Sequence, residues 1–516
     1  MFRSITLRNT WLGVVLMTGL CMAAPAKATQ VGLQVGASNP TMLADEKQTN
    51  FVRISLTGFD LPDAKSRPAV NVAIVIDTSG SMNGDKIRQA REAAIAAVKR
   101  LRDDDVVSIV LYNSSVQVLV PATKATDRDQ IIKQIRSVKA GGNTALFAGV
   151  SKGAAEVRKF IEEDSVNRVI LLSDGLANVG PSTPRDLERL GQTLVKEGIS
   201  VSTMGLGLGY NEDLMSGLAA SGSGNHIFVE EEDNLIAVFN NEFNDLMSVV
   251  AGDFKIRARV GRGVRPVRVL GTKADISGRD IHIPLAQLYS RQQRYFVLEV
   301  EVDANESGAS QSLVQVDVEY QNMLTETKDK LSSNVEVKFD SSLATVERDR
   351  NLETYAYCAV QLANERNIRA TALRDAGQID EAKKLLCDNV TNLQQVQAMC
   401  QMNQITNVIP ELELNIFRNQ TQAGWVEGGD WNRSRKAMRA VHNQVQAQQT
   451  YQVQLDQQGQ QSQQTQQDSQ SQQTQQDSQS QQSQQSQQSQ QSQPSQQTLQ
   501  DQQAQQSQPT RQGGTW

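Results

Sequence analysis

A chain of 516 residues is too long to bury one hydrophobic core, so two or three folded units are expected. Its 51 Lys and Arg against 57 Asp and Glu leave a net charge of −6, and no basic run interleaves with aromatic residues. That balance gives no general attraction to a phosphate backbone, so nucleic acid is excluded as an expected partner.

The chain opens with Arg3 and Arg8, an apolar run from Trp11 to Ala24, and Ala26-Lys27-Ala28, where small residues occupy the positions a signal peptidase reads. Residues 1–28 therefore read as a secretory signal peptide. A lipid anchor on Cys21 is disfavoured, because Leu20 stands where bacterial lipoproteins carry a small residue. The apolar run is too short to span a bilayer comfortably, and no later stretch approaches the ~20 apolar residues of a spanning helix. The expected location is the periplasm, the cell surface or the outside of the cell, with no transmembrane segment in the mature chain.

Residues 29–67 alternate in period two, with Val52, Ile54 and Leu56 apolar between Arg53, Ser55 and Thr57. The same period returns over residues 251–342. There Phe296, Leu298, Val300 and Val302 alternate with Glu299 and Glu301, Val314, Val316, Val318 and Tyr320 alternate with Gln315, Asp317 and Glu319, and Val335, Val337 and Phe339 close the series. Short alternating strands with turn-rich spacers predict an antiparallel β-sandwich assembled from both segments.

Residues 68–250 have a different texture and are expected as an insertion in that sandwich. Val72 to Ile76, Val106 to Leu111, Val166 to Leu172 and Ile199 to Met204 read as strands buried on both faces. Between them Ile87, Ala90, Ala94, Val98 and Leu101 share one helical face, and Leu187, Leu190, Leu194 and Val195 share another. Alternating strand and helix predict an α/β fold with a doubly wound, mainly parallel sheet. Ligands of such a sheet bind at the carboxyl ends of its strands.

Residues 343–451 are helical in pattern, with Ala376-Gly377-Gln378 interrupting two amphipathic stretches. The phrase from Ala372 to Leu386 faintly resembles one tetratricopeptide hairpin, but no second copy follows, so a single helical hairpin is expected. Residues 452–516 are almost purely Gln and Ser and lack the apolar surface that offsets chain entropy. They are expected to be a disordered tether, clipped first by proteases. Frequent Ser and Pro argue against self-stacking.

After signal removal Cys358, Cys387 and Cys400 remain. Counting outward from a turn near Gly377 leaves Cys358 and Cys400 out of register by about 8 Å, which a modest break in the second helix would close. A Cys358–Cys400 disulfide is expected, with Cys387 reduced and packed as a small apolar residue. His226, His282 and His442 lack ligand spacing, so zinc is not supported, and each reads as a surface or half-buried histidine.

Chemistry concentrates at strand ends. The strand from Asn71 to Ile76 runs into Asp77-Thr78-Ser79-Gly80-Ser81-Met82 just before a helix starting near Asp85. Alone this is a weak signal, since Asp and Ser also cap helices. Two further loops present matching groups: Gly141-Gly142-Asn143-Thr144, and Ser173-Asp174-Gly175 after the strand ending at Leu172. In a doubly wound sheet these loops meet at one edge, so Asp77, Ser79, Ser81, Thr144 and Asp174 can converge. Oxygen-only donors suit Mg2+, with Mn2+ or Ca2+ also compatible.

With all five positions present in order, the segment resembles a von Willebrand factor type A (VWA) domain with a metal-ion-dependent adhesion site. The resemblance implies that the hydroxyls of Ser79, Ser81 and Thr144 bind the ion directly or exchange in and out. Asp77 and Asp174 would act directly or through water. With few direct carboxylates the ion would keep enough charge to bind an acidic side chain of a protein partner.

Rival readings fail on named residues. A haloacid dehalogenase-type phosphatase needs a carboxylate where Ser79 stands, and Gly205-Leu206-Gly207-Leu208-Gly209-Tyr210 has Tyr210 at the third glycine of a dinucleotide loop. No Gly-x-Ser-x-Gly, His-Glu-x-x-His or Gly-Lys-Ser motif is present, so the chain is not expected to be an enzyme. Adhesion or receptor module, scaffold of an exported assembly, and accessory subunit are the remaining classes. The order of strands, VWA segment and strands resembles bacterial homologues of calcium-activated channel accessory proteins.

Overall fold

A computed structural model describes residues 29–62, 66–162, 164–177 and 179–448. The expected signal peptide and Gln-rich tether lie outside the described residues.

A six-stranded sheet forms the centre of the α/β part, in the order Val116–Lys124, Val106–Tyr112, Val70–Asp77, Val166–Ser173, Ile199–Leu206, Ser223–Val229. All neighbours are parallel except the Val116–Lys124 edge strand. Alternate residues of Val70–Asp77 enter opposite cores, because both faces are covered. Val72, Ile74 and Ile76 pack with Ile87, Ala90 and Ala94 of helix Asp85–Arg100 and with Phe239 and Phe243 of helix Leu235–Leu246. Ala73 and Val75 pack with Leu146, Val150 and Ala154 of helix Leu146–Val157. Chain order reverses beside Val70–Asp77, whose successor in sequence lies on one side and Val166–Ser173 on the other. That switch point opens a crevice at the carboxyl ends.

The antiparallel sandwich draws its strands from both sides of this insertion. Gln48–Thr57 pairs with Gln293–Val302, with Ile54 opposite Phe296 and Val52 opposite Leu298. The second sheet is built around Val249–Val260, Ser310–Asn322 and Thr327–Asp340. Val52, Ile54, Phe296, Leu298, Ile256, Val316 and Val318 fill the space between the sheets.

The helical region departs from the sequence reading in three ways. Helices Leu352–Asp375 and Ile379–Met402 form the expected hairpin, with Gly377 at φ +81 in the turn. Two more long helices follow, Ile409–Glu427 and Trp431–Ala447, the first packed along Ile379–Met402 and the second against Leu352–Asp375 and the α/β part. The expected disulfide is absent, and all three cysteines are free. The second helix runs unbroken, so the mismatch is never closed. Cys358 packs on Leu270, Tyr295 and Val297 of the sandwich, while Cys400 Sγ approaches the Leu352 carbonyl at 3.9 Å. Cys387 is exposed and not packed as an apolar residue.

Two of the three histidines are buried, contrary to expectation: His226 in the sheet and His442 in the last helix. Burial, reinforced by the Arg439 charge, holds the His442 pKa at about 3 against the usual 6.5. An unfolded chain therefore takes up this proton first, and stability is lost as pH falls from about 6.5 towards about 3. In His442→Gln the acid slope of unfolding free energy should be shallower than in the natural chain by up to about 1.4 kcal/mol per pH unit. Urea titrations between pH 7 and 4.5 measure it, and equal slopes would show that His442 is protonated while folded.

Candidate metal centre

Asp77 is the last residue of its strand, and Asp174 follows the last residue of the neighbouring strand. The switch point thus brings two carboxylates together by topology alone. Ser79, Gly80 and Ser81 occupy the turn between the first strand and helix Asp85–Arg100, and Thr144 lies in the loop before helix Leu146–Val157. The two loops are zipped by backbone hydrogen bonds, Gly80 N–H to Gly142 O at 2.9 Å and Gly141 N–H to Thr78 O at 2.6 Å. Gly142 has φ +97, a conformation that favours glycine, and a Cβ there would be crowded at 3.3 Å from Asn113 Cβ.

The five side chains predicted from the sequence come together. Ser79 N–H donates to Asp77 Oδ1 at 2.8 Å, and Ser173 Oγ donates to Asp77 Oδ2 at 2.8 Å. Ser79 Oγ and Ser81 Oγ are 3.0 Å apart, and Ser81 Oγ donates to Asp174 Oδ1 at 2.7 Å. The Thr144 hydroxyl lies near the Ser81 hydroxyl, since a Cβ built on Gly175 would lie 3.0 Å from Thr144 Oγ1 and 3.5 Å from Ser81 Oγ. Asp77, Ser79, Thr144 and Asp174 are buried, while Ser81 is exposed. The cluster is therefore open on the Ser81 side.

Burial raises the Asp77 pKa, the Ser79 and Ser173 hydrogen bonds oppose the rise, and the nearby Asp174 carboxylate adds to it. Two groups were missed in the sequence. Ser173 fixes Asp77 from the next strand, and Lys86 Nζ donates to Asp174 Oδ2 at 2.7 Å. Only the adjacency of Ser173 to Asp174 pointed to the first, and a lysine in the first turn of an amphipathic helix looks like a solvated face. Among the described residues no group of three or more His, Cys, Asp or Glu is placed to hold a metal. This cluster reaches its oxygen count through hydroxyls.

A family model for the von Willebrand factor type A domain matches residues 71–242, the stretch that carries the sheet and all five side chains. Residues 71–242 form a VWA domain. The protein YfbK of Escherichia coli (strain K12) is 32% identical over 197 residues, covering 37% of this chain and 34% of its own length. The chain thus spans about a third of that relative. Two solved structures share the fold. A von Willebrand factor type A protein from Catenulispora acidiphila superposes with TM-score 0.62 at 15% identity, over 80% of this chain and 96% of its own. The ArnB paralog VWA2 from Sulfolobus acidocaldarius gives 0.54 at 16% identity, over 81% and 99%. Both matches extend well beyond the VWA domain of this chain. No described helix is long and apolar enough to cross a membrane.

Proposed function

We propose that Asp77, Ser79, Ser81, Thr144 and Asp174 hold a divalent cation, Mg2+ before Mn2+ or Ca2+, and that the protein uses it to bind an acidic side chain of a protein partner. The convergence of these five side chains at the switch point carries the reading. The donor set supports it, being oxygen throughout. Neighbouring ligands of an octahedral Mg2+ with bonds of 2.0–2.1 Å are about 2.9 Å apart. The spacings of 3.0 Å between Ser79 Oγ and Ser81 Oγ and 2.7 Å between Ser81 Oγ and Asp174 Oδ1 are close to that edge. Each hydroxyl would keep its proton and trade a hydrogen bond for the ion with little movement of oxygen.

In this reading Ser79, Ser81 and Thr144 offer hydroxyls to the ion, while Asp77 and Asp174 act directly or through water. When bound, the cation supplies a positive charge that its protein ligands only partly neutralise. Ser81, on the open side, faces the partner. We assign no catalytic step, and place the chain outside the cytoplasm, by the secretory signal read in residues 1–28, as an adhesion or receptor-like module.

Asp77→Ala and Thr144→Ala should each abolish tight divalent binding while the domain still folds, because Asp77 ends its strand, Thr144 lies in a loop, and neither belongs to the two apolar cores. Isothermal titration with Mg2+ and Mn2+ beside circular dichroism tests this, and unchanged binding in both variants would sink the assignment. Partner capture that survives Asp77→Ala would instead favour a scaffold or accessory subunit that binds through its helices or sandwich.

A further inference from the structure

Lys86 lies in the first turn of helix Asp85–Arg100, where the helix dipole disfavours a positive charge. Its position therefore calls for a partner strong enough to outweigh the dipole. Asp85 is not that partner, being paired with Arg88 at 2.8 Å. The Lys86 ammonium is instead 2.7 Å from Asp174 Oδ2, with its side chain 23% exposed against 0% for Asp174. Of the four carboxylate oxygens of Asp77 and Asp174, three accept from neutral donors: Ser79 N–H, Ser173 Oγ and Ser81 Oγ. The fourth takes the full positive charge. Two adjacent buried carboxylates need such a charge, since hydrogen bonds from neutral groups do not cancel their repulsion.

We infer that Lys86 is a built-in counter-ion that holds the metal-free site together and competes with the divalent cation for Asp174, so that it sets the affinity of the site. The inference rests on the metal-site reading proposed above. The ammonium has a route out. The Lys86 side chain is partly exposed, and its Nζ lies beside the backbone at Gly207, where a Cβ would be 3.6 Å from it. A cation among the hydroxyls repels an ammonium a few ångströms away, so part of the binding free energy is spent on moving it. Holding affinity down in this way keeps the site responsive to the partner's carboxylate, which adds ligation as the ammonium leaves. Lys86 is thus a positioning and tuning residue and not a ligand.

The test uses the full chain and the metals alone. Lys86→Met and Lys86→Gln, the second keeping a hydrogen-bond donor without the charge, are titrated with Mg2+ and Mn2+ by calorimetry. Both should bind at least about tenfold tighter than the natural chain. Thermal unfolding should move in the opposite sense, with both variants melting lower than the natural chain in chelator and the gap closing in saturating Mg2+. Lys86→Gln provides the reading should Lys86→Met fail to fold in chelator. Equal or weaker divalent affinity in a folded variant overturns the counter-ion role while leaving the metal site intact. A natural chain that binds neither ion overturns both.

Discussion

Arg168→Met should lower the free energy of unfolding by about 3–5 kcal/mol, among the largest effects of any single substitution outside the apolar cores. Arg168 is wholly buried near the start of strand Val166–Ser173. Its guanidinium donates from Nε to Ser200 Oγ at 3.0 Å, from Nη1 to Glu242 Oε1 at 2.7 Å, and from Nη2 to Gln287 Oε1 at 2.7 Å and Tyr289 OH at 2.8 Å. Glu242 also accepts from Ser202 Oγ at 2.5 Å and from Asn225 Nδ2 at 2.8 Å. The network spans four elements of the VWA domain, strands Val166–Ser173, Ile199–Leu206 and Ser223–Val229 and helix Leu235–Leu246, and ends on strand Gln287–Tyr289 of the sandwich.

Removing the guanidinium leaves the Glu242 carboxylate buried without a counter-charge, beside Asp245, whose pKa burial and Glu242 already push up to about 7. The companion Glu242→Leu in the Arg168→Met background should recover much of the loss, since removing both partners removes the stranded charge. Denaturant unfolding of the two variants decides it. A single-variant loss below about 1 kcal/mol would mean that water reaches Glu242.

The main lines of the VWA domain were legible because its strands carry continuous apolar runs, and runs such as Val72 to Ile76 signal burial on both faces. The five site residues were legible because each is a polar group placed directly after such a run or before a helix. Charges whose partners lie far away in sequence were not. Arg168 stands beside Asn167 just before the apolar run Val169 to Leu172, and its counter-charge Glu242 is 74 residues downstream, beyond any local pattern. The edge strand Val116–Lys124 is half exposed and contains Pro121, so it shows neither a buried run nor a clean alternation.

The helical region was the least legible part. Its interior is rich in amides: Gln361, Asn364, Asn389, Asn419 and Gln422 are all buried. Asn389 Nδ2, for example, donates to Asn367 Oδ1 at 2.8 Å and Asn419 Oδ1 at 3.1 Å. Period-based reading assigns such residues to the surface. It therefore recovered one hairpin and missed the two helices that cover it. The cysteine pairing failed for a related reason, because helix Leu352–Asp375 is covered on more than one side and its Cys358 faces the sandwich, away from Cys400.

Glu212→Ala should release the last helix from the VWA domain and lower stability by about 3–5 kcal/mol. Glu212 begins helix Glu212–Ser221, just after the loop of Gly207 to Asn211 that passes beside Asp174. Its Oε2 accepts from Lys436 Nζ at 2.5 Å, its Oε1 is paired with Arg435, and Lys436 also donates to Tyr210 O at 2.8 Å and lies over the Tyr210 ring. Burial alone would raise the Glu212 pKa, but the Lys436 hydrogen bond and charge, with Arg435, hold it below the usual carboxylate value. Arg435 keeps Asp213 at 2.7 Å and Asp375 at 3.0 Å when Glu212 is gone. Among the described residues Lys436 pairs with no second carboxylate, and it is itself buried. The variant therefore leaves a buried ammonium unpaired, and the cheapest relief is for helix Trp431–Ala447 to lift and let water reach it. Hydrogen exchange should accelerate across Trp431–Ala447 and in the Gly207 to Asn211 loop, with the amides of strand Val70–Asp77 still protected. Unchanged exchange in the helix would show that its apolar contacts, and not this charge cluster, hold it to the domain.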